Sequence, residues 1–357
     1  MHNAACAAGA TDYSVGVEKV AQSLSRSLLC VGRQPVHGCA FLAPLSGVTD
    51  VGMRRAAQTF GAPLVVSEMV AADAYVAADE EARLRAEGSG LSPHVVQIAG
   101  RSPNMLAEAA RLAEAAGADI IDINMGCPAK RVVGGYAGSA LMREPDLAAR
   151  LVRAVVAAVQ VPVTVKMRLG WDETSRNAPE LASHLESEGA AMITVHGRTR
   201  RQLYKGQADW PAIHAVRDAI SVPLVANGDC RSMRDASVML DQSGADAVMV
   251  GRAAVGRPWI VGMISDGLKG HPIRAPSASR RRHAALAHYE SLLSTMGRTS
   301  GVRHARKHLV AYAKAAAEDG FAIAPALSAR LATSDDVDEV THLLSRIWDE
   351  PATRAAA

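Results

Sequence analysis

The sequence has no closely spaced cysteines. Its five cysteines form no C-x-x-C pair and lie far apart, at Cys6, Cys30, Cys39, Cys127 and Cys230. This spacing argues against a zinc site and against a disulfide framework, and it is typical of a protein in a reducing compartment. We therefore expect a cytoplasmic protein without a bound metal.

Long apolar runs and strong net charge are also missing. No apolar run approaches the roughly 18 residues that a membrane span needs. The first 13 residues carry no basic segment of the kind that starts a signal peptide, so we expect neither a signal peptide nor a membrane anchor. The formal net charge of +3 is too small to indicate nucleic-acid binding by the whole chain. An RNA site would have to come from local clustering of basic residues.

What the sequence does contain is a regular alternation between residues 41 and 250. Short runs rich in β-branched residues are each followed by a segment of helical period, which is typical of βα units around a parallel sheet. Eight strands over about 210 residues favour a TIM (β/α)8 barrel over an open doubly wound sheet, because no G-x-G-x-x-G follows the first strand. The predicted strands are Phe41–Leu45, Leu64–Ser67, Val95–Ile98, Ile120–Asn124, Val163–Met167, Met192–His196, Leu224–Ala226 and Ala247–Val250.

Helices are predicted between these strands, and two of them have a clear start signal. Proline follows a polar residue at Ser102-Pro103 and at Glu144-Pro145, a pattern typical of a helix N-terminus. The predicted helices are Asn104–Ala116, Pro145–Val159, Pro179–Glu188, Trp210–Ala219 and Ser232–Asp241.

The 357 residues divide into four predicted parts. Residues 1–35 form a loosely ordered extension, and residues 36–263 form the barrel. Residues 264–278 form a linker because glycines and prolines interrupt the pattern there. Residues 279–350 show only helical periodicity, which predicts a small C-terminal helical domain.

The helical domain carries a local excess of positive charge. Between Arg280 and Lys314 there are eight lysines and arginines but one acidic residue, Glu290. A solvated helix face is the ordinary interpretation of such a run, but its single sign and the interleaved Tyr289 and Tyr312 favour RNA binding.

Polar residues and glycines follow every predicted strand. The carboxyl ends of parallel strands meet at one mouth of a barrel, where the chemistry of such folds takes place. The glycines after the last two strands, together with Arg252, are suited to a phosphate. Gln97, Asn124 and Lys166 would offer donors to a planar ring rich in carbonyls. After the fourth strand, Cys127 lies in a Gly-Cys-Pro turn on a loop that the following glycines should leave mobile.

Several motifs together resemble the B-type branch of bacterial tRNA-dihydrouridine synthases, from about Phe41 to Arg257 and more weakly to about residue 315. In place of the Pro-Met-Ala of many relatives, this chain has Pro44-Leu45-Ser46. The resembling segments are FLAPLSGVTD (41–50), VVSEMV (65–70), VQIAG (96–100), DINMGCPAKRVV (122–133), GSALM (138–142), VTVKMRLGW (163–171), ITVHGRTRRQLYKGQADW (193–210), VANGD (225–229) and VGRAAVGRPWI (250–260).

The resemblance implies an FMN-bound barrel and a helical domain that holds tRNA. It implies that Cys127 is the proton donor and that FMN contacts a set of strand-end residues: Pro44, Leu45, Ser46, Gln97, Lys166, His196, Asn227, Gly228, Asp229, Gly251 and Arg252. We expect the substrate tRNA to be contacted by Asn124, Lys130, Arg131, Arg168, Arg198, Arg303, Arg306 and Lys307.

The implied reaction reduces the C5–C6 double bond of a uridine in the D-loop, with position 17 suggested by B-type relatives. A hydride would reach C6 from flavin N5, and a proton would reach C5 from Cys127. NADPH or NADH would regenerate the flavin, and we expect a monomer. The uridine would have to leave its stack to enter the barrel, at a cost of a few kcal/mol.

Other functions remain open from the sequence. A flavin barrel that reduces a free pyrimidine, as dihydroorotate dehydrogenase-like proteins do, would need no basic helical domain. A phosphate-binding aldolase or isomerase barrel would bind no flavin. A tRNA-binding protein without catalysis would have no need of Cys127, Lys166 and His196.

Overall fold

The computed structural model describes residues 28–135 and 137–349, and Arg131 is described in its backbone alone. The chain begins there with an antiparallel hairpin of β1 (Leu29–Val31) and β2 (Gln34–Val36). Val31 and Val36 of this hairpin are buried. The prediction of a loosely ordered extension is therefore wrong for residues 29–35, and residues 1–27 lie outside the described part.

A closed parallel barrel of eight strands follows, as predicted. The last strand pairs with the first, so the order around the barrel closes on itself. All eight predicted strands are confirmed, with bounds shifted by a few residues. The strands are β3 (Ala40–Leu42), β4 (Val65–Ala71), β5 (His94–Ala99), β6 (Ile120–Met125), β7 (Val163–Arg168), β8 (Ile193–His196), β9 (Leu224–Asn227) and β10 (Ala247–Val250).

Helices surround the barrel, and the two predicted start signals are confirmed. Ser102 accepts a hydrogen bond from the backbone N–H of Met105 and caps a helix that starts at Pro103, while another helix starts at Pro145. The helices are α1 (Val51–Thr59), α2 (Ala72–Val76), α3 (Glu80–Ala86), α4 (Pro103–Ala115), α5 (Lys130–Gly134), α6 (Pro145–Val156), α7 (Ala178–Ser187), α8 (Pro211–Ala219), α9 (Met233–Ser243) and α10 (Ile260–Leu268). Short 3-10 helices cover Gly138–Arg143 and Arg252–Ala254.

The register between neighbouring strands places polar residues side by side. Asn124 on β6 is paired with Lys166 on β7, and His196 on β8 is paired with Asn227 on β9. Paired residues in a sheet project toward the same face. These four side chains therefore meet at the carboxyl end of the barrel.

The C-terminal region is helical, as predicted. Helix α11 (Ala278–Glu318) is interrupted at Gly297, where φ is 74°, and is followed by α12 (Pro325–Thr333) and α13 (Val337–Ser345). Residues 264–268 of the predicted linker belong to α10, so the unstructured connection is shorter than predicted. The region has its own apolar core, which includes Trp259, Tyr289, Leu309, Tyr312, Leu344 and Trp348.

Polar contacts, buried at Asp50 and partly exposed at Arg257, join this helical region to the barrel. Asp50, the N-cap of α1, contacts His288 on α11 through its two oxygens at 3.1 and 3.2 Å. Arg257 donates to Asp319 at 2.9 Å and to Glu318 at 2.8 Å. Because these contacts come from both ends of α11, the helix is held against the barrel along much of its length.

None of the described helices combines the length and apolar character needed to cross a membrane.

The approach of α10 to the end of α1 depends on Gly262. A Cβ at this position would lie 1.8 Å from the carbonyl oxygen of Phe60. We expect Gly262→Ala to lower the free energy of unfolding by about 1–3 kcal/mol, because the two backbones would have to separate. Chemical denaturation followed by circular dichroism measures this loss.

Gly134→Ala is the matched control, since a Cβ there meets no atom within 4 Å. Equal stability of the two variants would show that α10 and α1 can separate without cost.

Candidate active site

A cavity of about 400 Å³ opens at the carboxyl end of the barrel. Strands β3, β7, β8, β9 and β10 all contribute to it through their last residues or the loops that follow. The lining residues are Ala43, Pro44, Leu45, Lys166, His196, Tyr204, Asn227, Gly228, Asp229, Cys230, Arg231, Gly251, Arg252, Ala253, Arg257 and Ile260.

The structure brings together nine of the eleven residues predicted to contact a cofactor. The two others are Ser46 and Gln97. Ser46 is exposed beside the cavity, whereas Gln97 lies beneath it with 1% of its surface exposed. The side chain of Gln97 is engaged with Asp122 and Asn124.

One side of the cavity offers a row of backbone N–H groups. Gly228 has a φ of 118°, a conformation that glycine adopts readily. Neither its amide nor those of Asp229, Gly251 and Arg252 donates a hydrogen bond to another described residue. Converging free amides of this kind form an anion-binding concavity. The arrangement suits a phosphate group, as predicted for the last two strands.

Lys166 extends from β7 into the cavity and donates to Asn227 Oδ1 at 3.0 Å. Asn227 is in turn held by its own donation to the carbonyl of Met249 at 2.8 Å. Burial, and next the charge of Arg168, lower the pKa of Lys166 to about 8. The lysine is therefore mostly charged at neutral pH and begins to lose its proton in mildly alkaline solution.

His196 lies on β8, the strand next to that of Lys166, and is neutral. Its pKa is well below the ordinary value because it is buried and because Lys166, Arg168 and Arg198 surround it with positive charge. Its Nε2 lies 3.3 Å from Nη1 of Arg198, so this ring nitrogen is the acceptor of the pair. A neutral imidazole in this position can donate or accept a hydrogen bond without adding charge to the site.

Arg198 is not on the surface, so its prediction as a tRNA contact is wrong. It is 1% exposed and directs its donors inward. It donates to both oxygens of Asp229, and to the carbonyls of Lys205 and Gly206 at 3.1 and 2.6 Å. The residue fixes the loop after β8, because a buried guanidinium is stable only when its donors are satisfied.

Asp229 is engaged with protein groups. Besides Arg198, it accepts hydrogen bonds from Arg252 Nη2 at 3.0 Å and from the backbone N–H of Ala208 at 2.9 Å. Although burial opposes ionisation, the hydrogen bond and charge of Arg198 keep the pKa of this carboxyl below its usual value. Its carboxylate therefore orients Arg252, and its backbone amide is the group available to a ligand.

A chain of buried hydrogen bonds leads from the barrel interior to Cys127. Asp122 accepts from Thr164 and Gln97, both at 2.6 Å, and Gln97 Oε1 accepts from Asn124 at 2.8 Å. Asn124 Oδ1 then accepts from the backbone N–H of Cys127 at 2.9 Å. Asp122 was not predicted as a site residue. Its position two residues before Asn124 on a strand, and thus on the same face, is the signal that could have identified it.

Cys127 lies on the rim of the barrel and is half-buried. It does not line the cavity, but its loop follows Asn124, whose strand partner Lys166 does. Its carbonyl accepts from the backbone N–H and the hydroxyl of Ser139 at 3.0 and 2.9 Å. The prediction of a mobile loop is therefore wrong at Cys127 itself, where both backbone groups are bonded.

Arg168 lies beneath the Cys127 loop and is 2% exposed, too deep to reach a tRNA phosphate. It donates to the carbonyls of Gly126, Thr199 and Leu203 at 2.7, 3.0 and 3.0 Å. Its Nη2 has no hydrogen-bond partner among the described residues. This nitrogen can meet a small group that enters from the mouth.

Tyr204 was also missed by the sequence analysis. Its side chain is 54% exposed at the mouth, with the guanidinium groups of Arg252 and Arg168 lying 5.3 and 5.8 Å from its ring centre. An exposed aromatic ring flanked by two cations can stack against a flat ligand. Its signal in the sequence is its place among basic residues in the long loop after β8.

The remaining predicted tRNA-binding residues form two groups, one on the short helix α5 and one on the long helix α11. Lys130 is exposed at the start of α5, while the side chain of Arg131 lies outside the described part. Arg303 and Arg306 both pair with Asp335, at 3.2 and 2.9 Å, and Lys307 Nζ lies 2.9 Å from His304 Nε2.

The predicted one-signed basic face is therefore partly neutralised in the folded protein. Acidic residues that are distant in sequence pair with its arginines: Arg281 with Asp319, Arg282 with Asp349, and Arg303 and Arg306 with Asp335. The count of charges along this run overstated the positive charge, because it could not include the acidic partners Asp319, Asp335 and Asp349 that follow α11 in the chain.

Comparison with known proteins identifies the family. The family model "Dihydrouridine synthase (Dus)" matches residues 41–343. A "Probable tRNA-dihydrouridine synthase" of Rhizobium leguminosarum bv. phaseoli is 50% identical over 89% of this chain and 97% of its own length. A "tRNA-dihydrouridine synthase B" of Xanthomonas axonopodis pv. citri is 46% identical over 80% of this chain and 86% of its own.

Solved structures resemble the protein in fold. Histamine dehydrogenase from Rhizobium sp. 4-9 has a TM-score of 0.53 at 13% identity, covering 76% of this chain and 51% of its own. A 2-naphthoyl-CoA reductase has a TM-score of 0.52 at 12% identity, covering 69% and 52%. At these identities the likeness concerns the barrel architecture alone. The match to the family model and to full-length relatives shows that the chain belongs to the dihydrouridine synthase family.

Proposed function

We propose that the protein is an FMN-dependent enzyme that reduces a uridine of tRNA to 5,6-dihydrouridine. The observation that carries this proposal is the cavity at the barrel mouth, which is lined both by free backbone amides after β9 and β10 and by the side chains of Lys166 and His196 on β7 and β8. A phosphate at the amides and a carbonyl-rich ring at the side chains are the two ends of FMN. The relatives named above support tRNA as the substrate.

The residues present fit FMN. The amides of Gly228, Asp229, Gly251 and Arg252 would hold its phosphate, with Arg252 adding charge. Lys166 and Asn227 would hold the ring, and the ammonium of Lys166 would favour an anionic reduced ring by Coulomb attraction. When bound, FMN supplies a hydride for C6 of the uridine.

Cys127 is proposed as the proton donor to C5. A thiol is mostly protonated at neutral pH and can therefore act as a general acid. Asn124 and Ser139 hold the backbone of Cys127 on both sides, so the residue has a defined place at the rim. The unpartnered Nη2 of Arg168 and the second amide hydrogen of Asn124 lie in the same part of the site and can bind the carbonyls of an extruded uracil.

The reductant that regenerates the flavin is proposed to be NADPH or NADH, and the modified position to be uridine 17 of the D-loop. The helical region argues against a reductase of free pyrimidines, because a free base needs no extra binding platform. Lys130 and Lys205 are exposed at the mouth and are proposed to contact RNA. Arg298 and Lys314 on α11 are exposed as well, and each has only a distant acidic partner among the described residues, Asp338 at 3.9 Å and Glu318 at 4.0 Å.

The role of Cys127 can be tested by Cys127→Ala. We expect the variant to retain the visible spectrum of bound FMN and to oxidise NADPH, because the thiol does not line the cavity. Dihydrouridine formation should fall by about two to four orders of magnitude, the usual loss when a general acid is removed. Mass spectrometry of digested tRNA measures the product. Loss of flavin together with activity would instead show a structural role.

The charge of Lys166 can be tested through pH. The ammonium is present below its pKa of about 8 and is lost above it, so FMN binding to the flavin-free protein should weaken as the pH rises from 7 to 9. Fluorescence quenching of FMN measures this affinity. Lys166→Met should bind FMN more weakly at pH 7 and should show no step near pH 8.

The control for this experiment is Lys314→Met, which removes an exposed lysine of α11 and should keep the wild-type pH profile. A Lys166→Met profile that still falls near pH 8 would assign the step to another group.

The RNA-binding surface can be tested with Lys130→Gln and Lys205→Gln combined. Removing two phosphate contacts should weaken tRNA binding and lower the slope of log affinity against log salt by about 2. The control is Arg111→Gln with Arg150→Gln, which removes two exposed charges from outer helices α4 and α6. An unchanged salt slope in the lysine variant would place the RNA elsewhere.

A further inference from the structure

Two histidines and one aspartate meet between the barrel and helix α11, away from the cavity described above. His304 and His308 are four residues apart on α11 and therefore lie on the same face of the helix. Asp50 faces them from the start of α1. One possible ligand atom from each of the three residues lies within 4.8 Å of the others. Two histidines at this spacing on a helix are a common way to bind zinc.

His308 has unused binding capacity. It is 2% exposed, and its Nδ1 has no hydrogen-bond partner among the described residues, while its Nε2 is attracted only by Asp50. Leaving a buried polar group unpaired is costly, so such a group in a folded protein requires a partner. His308 Nε2 lies 3.3 Å from Asp50 Oδ2 without the geometry of a hydrogen bond.

This distance suits two ligands of one metal ion. Zinc bonds of about 2.0–2.1 Å to nitrogen and oxygen at a tetrahedral angle separate the two ligand atoms by roughly 3.3 Å. The third ligand atom, on His304, lies within 4.8 Å of the other two and has to come closer to reach the same ion. His304 is half-buried at the surface of the cluster, so its ring can turn.

The residues behind the cluster hold Asp50 in place. Asp50 Oδ1 accepts from the backbone N–H of Met53 at 3.0 Å and contacts His288 Nε2 at 3.1 Å, and His288 Nδ1 contacts Tyr312 OH at 3.1 Å. Hydrogen bonds of this kind orient the carboxylate ligands of metals. Asp50 Oδ2 lies between the two histidines, 3.2 Å from His288 Nε2 and 3.3 Å from His308 Nε2.

The cluster is reachable from solvent. A cavity of about 580 Å³ between the barrel and α11 is lined by both Asp50 and His304, and by Glu68. Lys307 Nζ lies 2.9 Å from His304 Nε2. His304 would therefore bind an ion through its other ring nitrogen, or the ammonium would move toward Glu68, which lies close enough to attract it.

We propose that Asp50, His304 and His308 bind one divalent transition-metal ion with the preferences of zinc. Two imidazoles and one carboxylate suit this class of ion better than magnesium or calcium, which prefer oxygen ligands. Water from the cavity completes the coordination. The expectation of no metal was based on the spacing of cysteines. Cysteine spacing cannot predict a site that combines histidines of the helical region with an aspartate of the barrel.

The ion ties the barrel to the helical region at a specific point. Asp50 ends the segment that begins with Pro44 and Leu45, which line the candidate FMN cavity. A metal that joins Asp50 to α11 therefore fixes this segment and the orientation of the helical region together. The metal is structural here and takes no part in the proposed reduction.

The test uses the full-length chain without a histidine tag, treated with EDTA and titrated with Co²⁺. Tetrahedral Co²⁺ bound to nitrogen and oxygen has visible bands at wavelengths longer than flavin absorption. We expect these bands to saturate at one ion per chain, and Zn²⁺ to displace the Co²⁺ and raise the melting temperature. His304→Ala should weaken binding by about tenfold or more.

His283→Ala is the matched control, because His283 is an exposed histidine on the same helix outside the cluster. It should bind Co²⁺ as the wild type does. The proposal is overturned if the wild type shows neither the bands nor a rise in melting temperature, or if His304→Ala binds as tightly as His283→Ala. Thiolate-to-Co²⁺ charge-transfer bands would also overturn it, since they would place the ion on a cysteine.

Discussion

Closure of the parallel barrel is the constraint on which the rest of the structure depends. Pairing of β10 with β3 brings Gly251 beside Ala43, although more than 200 positions separate them in the chain. A parallel sheet that closes has one end at which all strands finish. The glycine amides, Lys166, His196 and the Cys127 loop meet there because each follows its strand in the same direction.

This convergence buries charged side chains at the mouth of the barrel. Hydrogen bonds to a carboxylate and to backbone carbonyls satisfy them. Arg198 is buried against Asp229 and the backbone of the loop after β8, and Arg168 is buried against the backbone around Cys127. These guanidinium groups hold the loops of the mouth rather than contacting ligand phosphates. Together with burial, their positive charge keeps the pKa of His196 low and its ring neutral, and the charge of Arg168 also contributes to the lowered pKa of Lys166.

The helical region is attached by a different kind of contact. Where the barrel packs mainly through apolar residues, the junction with α11 contains buried polar groups, with Asp50 facing His288 and His308. Such groups bind in one geometry, so they fix the orientation of α11 more specifically than apolar packing alone would. If the helical region holds tRNA as proposed, this orientation sets which part of the tRNA reaches the barrel mouth.

Local sequence patterns were enough to predict the barrel, the helical region and most of the candidate cofactor site. Strand and helix periods are local, and the carboxyl end of each strand can be read directly from the chain, so Lys166, His196 and Asn227 were predicted to meet. Which charged side chains are buried or paired became clear only from the folded chain. Burial of Arg198, the pairing of Arg303 and Arg306 with Asp335, and the meeting of Asp50 with His304 and His308 all depend on residues that are distant in the chain. Such partners cannot be predicted from neighbouring residues in the sequence, because electrostatic and metal-binding contacts depend on distance in space.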